Sequence, residues 1–524
     1  MSSQPMPPRR NDAVSSGSGM VVTSVHGGRS PVPVPGANAD AASDPNAASP
    51  NAAPDPNAPT SPAPPAAPSL ADLLTAHLGP EAALLPVTTA TWPPYEHVNV
   101  QGALDRWLSR NGAPYRLTGM AGFRHRMFGL SDLFYESGPQ GMAVSGVSLT
   151  DQPSGPGDQT RTCVQCGLYL VDGLDGPDDG DRTEDPRPPL AILLRGTEMR
   201  GPQQDVSLEI ACADRALARK AAAEIRRLAI EFSVYRGHVL EFGTEMFGPH
   251  QSALGFHDRP VMDREELILP PGMLEGIEAQ ILGVNRHRET LLAHGQHLKR
   301  GVLLFGPPGT GKTHTVRYLM SRLPETTVVV LTASALRLIG QACEIARALQ
   351  PALVVVEDVD LIAQDRSAHM TATPLLFQLL NEMDGLDGDA DVTFLLTTNR
   401  IDTLEPALAM RPGRVDHAVE VPLPDAEGRA RLLELYRGSL DLDLSSADTL
   451  IERTAGVTAS FIKELIRRAA LISLNEQDTQ DTAPTPANGL HVSAKHLDAA
   501  LEILGGSQHQ LTRRLLGASG DLRH

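Results

Sequence analysis

Residues 306–313 of this 524-residue chain read GPPGTGKT and constrain the fold more than any other stretch. They match the pattern G-x-x-x-x-G-K-[ST] in full. The apolar run RGVLLFG (300–306) leads into them, and a helical pattern begins at Lys312. Glycines let the backbone wrap closely around a phosphate, while the loop amides and the helix N-terminus present positive dipole to it. The sequence therefore predicts a phosphate-binding loop between a buried strand and a helix.

This loop indicates a nucleotide site with a bound magnesium ion. We expect the Lys312 ammonium to reach the β- and γ-phosphates and the Thr313 hydroxyl to hold Mg²⁺. The candidate nucleotide-binding residues are Gly306, Pro307, Pro308, Gly309, Thr310, Gly311, Lys312, Thr313 and His314.

Apolar runs alternate with helical patterns from about residue 262 onwards. Strands are predicted at 300–306, 326–334, 352–360, 391–399 and 417–424, with helical stretches at 341–350 and 373–385. Such alternation predicts a parallel, doubly wound sheet. Residues 426–504 have a mainly helical pattern.

Two acids, Glu357 and Asp358, end the third apolar run. A strand that ends in carboxylates beside a phosphate loop is typical of nucleotide sites, where one acid orients Mg²⁺ and another polarises the attacking water. Adjacent strand residues point in opposite directions, so we expect the two acids to have separate tasks. Thr313 and one of these two acids are thus the candidate metal-holding residues, and the other acid is the candidate base.

With these motifs in place, residues 265–504 resemble the AAA family of ATPases. The segment TTNR (397–400) is similar to the family's first sensor motif, which implies that Asn399 bonds the attacking water or the γ-phosphate. Downstream, RPGR (411–414) looks like the family's arginine fingers, so the resemblance implies that Arg411 and Arg414 reach the neighbouring subunit's nucleotide. It also implies an ATP- and Mg²⁺-dependent ATPase that assembles as a homo-oligomeric ring, a hexamer in the family.

The predicted fold class is α/β, a P-loop NTPase parallel sheet with a C-terminal helical lid. The large subdomain is expected at 262–425, the lid at 426–504 and a tail at 505–524. A separate α/β or α+β domain is expected at 73–260, where a client could bind, because strand patterns there flank a helix with apolar residues at helical spacing. Residues 1–70 hold 15 of the 43 prolines and no Phe, Trp or Tyr, which predicts a disordered segment.

Three departures from the family pattern bear on activity. The acid pair runs Glu then Asp, whereas the family usually has Asp then Glu. By position in the family pattern, Glu357 takes the Mg²⁺-orienting role and the shorter Asp358 side chain the water-polarising role, and hydrolysis is expected to survive with Asp358 as the base. The triplet at the pore position is Leu338, Ile339 and Gly340, without the family's aromatic residue. Those residues either form a pore loop or simply begin a packed helix. The lid motif at 456–462 has Ala459, Ser460 and Phe461 in place of Gly, Ala and Asp.

Residues 151–189 have a loop-like composition and contain CVQC, with Cys163 and Cys166 at metal-knuckle spacing. Structural zinc needs four ligands and no second cysteine pair follows, so two ordinary loop cysteines are the preferred interpretation. Four cysteines in the whole chain argue against a disulfide-rich secreted scaffold, and the apolar runs are shorter than a bilayer span. We expect a cytoplasmic protein with no membrane partner.

A net charge of −18 disfavours nucleic acid as the partner. The preferred function is a ring ATPase that remodels a protein client or complex. The alternatives are a slow, nucleotide-switched scaffold and, third, a nucleic-acid-remodelling ATPase.

Overall fold

The structure is a computed structural model, and its described residues are 69–112, 114–123, 127–135, 143–173, 188–198, 204–244, 252–360, 372–385, 390–402, 415–479 and 490–505. Residues 1–68 of the segment predicted to be disordered lie outside the described residues, and so does the tail beyond Gly505. Arg411 and Arg414 also lie outside the described residues. The described residues belong to one compact unit, Ala66–His524.

The first domain is built on an antiparallel sheet. Its strands are β1 (Val87–Trp92), β2 (Tyr115–Met120), β3 (Val144–Ser145), β4 (Ser148–Pro153), β5 (Thr160–Val171), β6 (Leu190–Arg195) and β7 (Val206–Cys212). They pair in the order β1–β7–β6–β5–β2–β3, with β4 also on β5. Every pairing is antiparallel, so of the two fold classes left open for this domain the structure has α+β.

Helices cover both faces of this sheet. They are α1 (Leu70–Leu78), α2 (His97–Asn111) and α3 (Arg215–Glu231). The first helix begins with a capping box, in which the Ser69 hydroxyl accepts from the Asp72 amide and the Asp72 carboxylate accepts from the Ser69 amide. Helices α2 and α3 bury Trp107 and Ile225 against one face, whereas α1 buries Leu74 against the other.

The prediction of a loop at residues 151–189 is wrong for its first part, where β5 runs for twelve residues. Since both sheet faces are covered, most of β5 is buried on both sides and lacks the alternation that marks a half-exposed strand. Cys163 and Cys166 are both buried but belong to different core clusters, on different sides of the strand. Among the described residues, no group of three or more His, Cys, Asp or Glu could hold a metal ion.

The second sheet confirms the predicted parallel, doubly wound arrangement. Its strands are β8 (Val239–Thr244), β9 (Ser252–His257), β10 (Arg300–Phe305), β11 (Thr327–Leu331), β12 (Ala352–Val356), β13 (Val392–Thr398) and β14 (His417–Glu420). Their order is β14–β10–β13–β12–β11–β8–β9, and only β9 pairs antiparallel. Along β12, Val354 and Val355 enter opposite core clusters, which explains the unbroken apolar run of this strand.

Helices flank this sheet on both sides. They are α4 (Met273–Glu278), α5 (Val284–Arg286), α6 (Arg288–Ala293), α7 (Lys312–Ser321), α8 (Ile339–Ala348) and α9 (Ala372–Asp384), with a π-helical turn at Ala279–Gly283. At the start of α8, Ile339 is buried in the core and Leu338 packs against it. Of the two alternatives for this triplet, the structure favours the start of a packed helix.

Strand β8 lies in the second sheet, although its sequence was assigned to the domain at 73–260. It pairs in parallel with β11, where Val239 lies opposite Val328. The sheet of the second half therefore begins at Val239. The pairing satisfies the backbone groups along an edge of β11 that would otherwise be open.

An aromatic cluster joins the first domain to this added hairpin. The Tyr95 ring lies 6.1 Å from the Phe242 ring, and the Tyr235 ring lies 5.4 Å from the Phe256 ring. The Tyr235 hydroxyl donates to the Tyr95 carbonyl, and the Val234 amide donates to the Asn99 side chain at 2.8 Å. The first domain and the second sheet thus share packed side chains.

The lid has its own core, as predicted for a helical subdomain. Its elements are α10 (Ala426–Arg437), β15 (Asp441–Leu442), α11 (Ala447–Arg453), α12 (Ala459–Thr479), β16 (His491–Val492) and α13 (Ala494–Gly505). Phe461 is fully buried in this core, which explains an apolar residue at a position where the family has an acid. Within the described part of the chain, no helix has the length and apolarity that a membrane crossing requires.

Candidate nucleotide site

The phosphate loop lies where the sequence predicted it, between β10 and α7. Gly306 has φ of 144°, and a Cβ there would lie 2.3 Å from the backbone oxygen of Val421. Gly309 has φ of 79°, and a Cβ there would lie 2.9 Å from the Ser460 hydroxyl. Only glycine fits both places, because the first position touches the end of β14 and the second touches the lid.

Lys312 begins α7 and turns its side chain back over the loop. Its Nζ donates to the carbonyls of Gly306 at 2.8 Å and Pro307 at 2.9 Å. Burial lowers the pKa of the Lys312 ammonium, while the charges of Asp358 and Asp360 act in the opposite direction. The ammonium is thus held over the loop, within the field of two carboxylates that follow β12.

Thr313 and Glu357 are brought together, as the predicted metal site requires. The Glu357 carboxylate, just after β12, accepts a hydrogen bond from the Thr313 side chain. Burial raises the pKa of this carboxyl, the Thr313 bond lowers it, and the charge of Asp358 raises it again. One hydroxyl and one carboxylate are few ligands, but Mg²⁺ in nucleotide sites takes most of its oxygens from phosphates and water. The residues present therefore fit the ion.

Asp358 faces a different partner. Its φ of 51° places it in the left-handed region, where Asp and Asn are the best tolerated side chains after glycine. The Asp358 amide donates to the Thr397 hydroxyl at 3.1 Å, and Asn399 Nδ2 donates to Asp358 Oδ1 at 3.1 Å. The predicted base and the predicted sensor residue are therefore in direct contact. The two acids have separate partners, as expected.

Asp360 belongs to the same network but was not predicted. It is 3% exposed, and its Oδ1 accepts from the Thr398 hydroxyl at 2.9 Å and from the Asn399 amide at 3.1 Å. A buried carboxylate that holds the backbone of Asn399 fixes where that side chain points. The sequence does contain a sign of this role: Asp360 is the third acid of the run EDVD (357–360), and a charged residue so close to a buried strand needs a hydrogen-bond partner.

The lid closes over one side of the loop. The Ser460 amide, near the start of α12, donates to the Gly309 carbonyl at 3.3 Å. His314 is another predicted nucleotide residue: burial lowers its pKa, and the charges of Lys463 in the lid and Arg317 in α7 lower it further. The altered lid motif therefore still meets the phosphate loop, through its backbone.

A concave pocket continues from the loop between the large subdomain and the lid. Thr310 lines it from the loop, Ile268 and Leu269 from the segment before α4, and Arg431 and Leu432 from α10. Apolar walls with a few polar groups are typical of a site for the base of a nucleotide.

Residues 302–423 match the family described as ATPase family associated with various cellular activities (AAA). These residues form an AAA domain. The chain's curated AAA relatives include the proteasome-activating nucleotidase of Pyrococcus horikoshii, 32% identical over 210 residues, which are 38% of this chain and 52% of the relative. The corresponding protein of Saccharolobus solfataricus is 31% identical over 242 residues, 41% of this chain and 61% of the relative.

Another AAA relative is the ATP-dependent zinc metalloprotease FtsH of Ureaplasma parvum, 30% identical over 237 residues, 43% of this chain and 31% of the relative. The chain spans about half the length of the first of these relatives and about a third of this one. The likeness thus covers the AAA part of the molecule.

Proposed function

We propose that this protein binds ATP with Mg²⁺ between its large subdomain and its lid and hydrolyses it. The observation that carries the proposal is the contact between Asp358 and Asn399 at the same edge of the sheet as Lys312. The phosphate loop supplies the Lys312 cation there, the end of β12 supplies the Asp358 carboxylate, and the end of the neighbouring β13 supplies the Asn399 side-chain amide. Phosphoryl transfer needs little else from a protein, since catalysis is mainly positioning and charge stabilisation.

Each residue then has a distinct task. The loop amides and Lys312 hold the β- and γ-phosphates, while Thr313 and Glu357 hold Mg²⁺, which would neutralise developing charge. The Asp358 carboxylate accepts the proton of the attacking water, and Asn399 orients that water or the γ-phosphate. Asp360 fixes Asn399. Arg411 and Arg414 would complete the site of a neighbouring subunit in a homo-oligomeric ring, six-membered as in the family, because arginine stays charged and forks onto phosphate oxygens.

Turnover of ATP by the purified full-length protein tests the first part. We expect Lys312→Met to abolish phosphate release and to weaken nucleotide binding strongly, because the phosphate charge loses its buried cation. Lys495→Met is the matched control, since Lys495 is exposed on the lid helix α13. Equal turnover in native protein and Lys312→Met would contradict the proposal.

Mixing two inactive variants tests the ring. Lys312→Met keeps its arginines but lacks a working site, and the double variant Arg411→Ala with Arg414→Ala keeps the site but lacks the arginines. If the arginines act on a neighbour, the mixture regains turnover that neither variant has alone. Without such complementation, the assignment of these arginines to a neighbouring site fails.

We further propose that the energy of hydrolysis remodels a protein client. The names of the relatives, proteasome-activating nucleotidase and ATP-dependent zinc metalloprotease, both point to proteins as substrates, and the charge of −18 favours a protein over a nucleic acid. Trapping an Asp358→Asn variant on ATP and identifying what co-purifies tests this. Stimulation of turnover by DNA and by no protein would favour the nucleic-acid alternative.

A slow nucleotide switch is the second candidate. It is supported by the side-chain amide of Asn399, which already donates a hydrogen bond to one oxygen of the short Asp358 carboxylate. A turnover rate far below the rate of nucleotide release would favour this function over remodelling.

A further inference from the structure

Helices α2 and α3 form a basic surface on a strongly acidic chain. Together they carry seven arginines and lysines against three acids, although the whole chain has a net charge of −18. The three acids are already used by cations: Asp105 pairs with Arg161 at 3.3 Å, and Arg227 lies between Glu224 and Glu231. The remaining cations form what we call the basic face: Arg106, Arg110, Arg215, Arg219, Lys220 and Arg226.

Three cations lie in the first half of α3. Arg215, Arg219 and Lys220 are exposed, and none of them forms an ion pair with another described residue. This arrangement does not stabilise the helix. Asp214 caps the helix, and its carboxylate accepts from the amides of Ala216 and Leu217. The first turn itself contains no acid and begins with Arg215, so these cations lie near the end of the helix where the dipole favours anions. Charges that do not stabilise the helix on which they lie are expected where a surface has a function.

At the other end, the basic face surrounds exposed apolar side chains. Phe232 is 38% exposed and has the guanidinium groups of Arg106 and Arg110 over its ring, at 4.7 and 5.4 Å. Ile230 is 42% exposed on the same helix end. Arg226 lies over the Trp92 ring at 4.6 Å. Arg106 and Arg226 each also donate one hydrogen bond to a backbone carbonyl, of Gly102 and Thr91. The aromatic rings and these bonds fix the guanidinium groups in place, which lowers the entropic cost of binding through their remaining donors.

The line of exposed residues along α3 suits a polypeptide. Ala216, Ala223 and Ile230 recur at seven-residue spacing and are all exposed, with Arg219 and Arg226 beside them. A helix laid along this line would bury the apolar positions and bring its own flanking side chains to the cations. A nucleic-acid backbone would satisfy the cations but leave Ile230 and Phe232 without apolar contacts, and the acidic remainder of the chain would repel it.

We propose that the basic face docks an acidic amphipathic segment of a partner polypeptide. Carboxylates of the segment would bond the arginine forks, and its apolar side would cover Ile230 and Phe232. Because charge pairs near the surface are screened, binding weakens as salt rises. The docking needs no nucleotide and is independent of the function proposed for the ATPase site.

Fluorescence anisotropy with full-length protein and no nucleotide tests the proposal. The probe is a labelled helical peptide of glutamate and leucine. A labelled helical peptide of lysine and leucine, which has the opposite charge, is the control. We expect the acidic peptide to bind and the basic one not to bind. The double variant Arg219→Glu with Lys220→Glu should weaken binding of the acidic peptide by about tenfold.

A matched variant separates this site from net charge. Arg286→Glu with Lys495→Glu changes the charge of the chain equally, at exposed positions on α5 and α13, and should leave binding within about twofold. Loss of fold cannot explain a loss of binding, because acids in the first half of α3 suit the helix dipole and thermal stability should hold or rise. ATP turnover should stay at the native rate.

Three results would overturn the proposal. The first is that the acidic peptide does not bind, and the second is that the matched variant loses peptide binding as much as the Arg219→Glu, Lys220→Glu variant does. The third is that labelled single-stranded DNA binds in place of the peptide and that the Arg219→Glu, Lys220→Glu variant no longer binds this DNA.

Discussion

Replacement of Asp358 by asparagine isolates the chemistry of one carboxylate. The φ of 51° at this position is as accessible to Asn as to Asp, and an amide oxygen can still accept the bond from Asn399 Nδ2 that now spans 3.1 Å. The bond from the Asp358 amide to Thr397 does not involve the side chain. The variant therefore keeps the local geometry and removes only the charge and the proton-accepting oxygen.

The size of the effect follows from what is removed. A positioned general base contributes a factor of about 10² to 10⁴ in rate, which equals about 3–5 kcal/mol in the activation barrier. The exchange of a charged for a neutral acceptor at Asn399 costs about 1 kcal/mol of stability. We expect kcat to fall by about 10² or more, with ATP affinity changed by only a few-fold, because the base acts in the transition state.

Steady-state phosphate release measures kcat, and titration with a fluorescent ATP analogue measures affinity. Asp402→Asn is the control, since Asp402 is an exposed acid three residues after Asn399 and its loss changes the net charge equally. Native turnover in Asp358→Asn would refute the assignment of the base to this residue. A parallel loss of affinity and turnover would instead indicate damage to the loop.

Two further predictions concern the loop and the first domain. Gly306→Ala should abolish nucleotide binding, because its Cβ would meet the Val421 carbonyl at 2.3 Å, whereas Gly276→Ala, in a helix with open space around it, should bind normally in the same titration. Burial raises the pKa of Glu96 to about 7 from a usual 4.5, so the folded state holds this proton more tightly and its stability should fall as pH rises between these values. Urea unfolding at pH 5 and pH 8 should show that fall in the native protein and a smaller one in Glu96→Gln; equal falls would contradict it.

The second half of the molecule could be predicted well from its sequence. Strands buried on both faces leave continuous apolar runs, and the loop glycines and Lys312 occupy fixed places between a strand and a helix. The contact between Asp358 and Asn399 agrees with this topology, because parallel strands end at the same edge of the sheet.

Long-range pairing was harder to predict. The sequence around β8 indicates a strand but not its neighbour, and its partner β11 lies about ninety residues further along the chain. Strand β5 was missed because buried contacts on both sides remove the alternation of a half-exposed strand. Asp360 was overlooked because its role depends on a backbone amide in another strand.

The pairing of β8 with β11 has a consequence for how such a protein can be divided or recombined. A fragment cut at residue 262, the predicted start of the large subdomain, would leave the backbone of β11 bare along one side and would lose the Phe242 and Phe256 side chains. Such an exposed strand invites pairing between molecules. The smallest unit with an intact second sheet therefore includes the hairpin at 239–257.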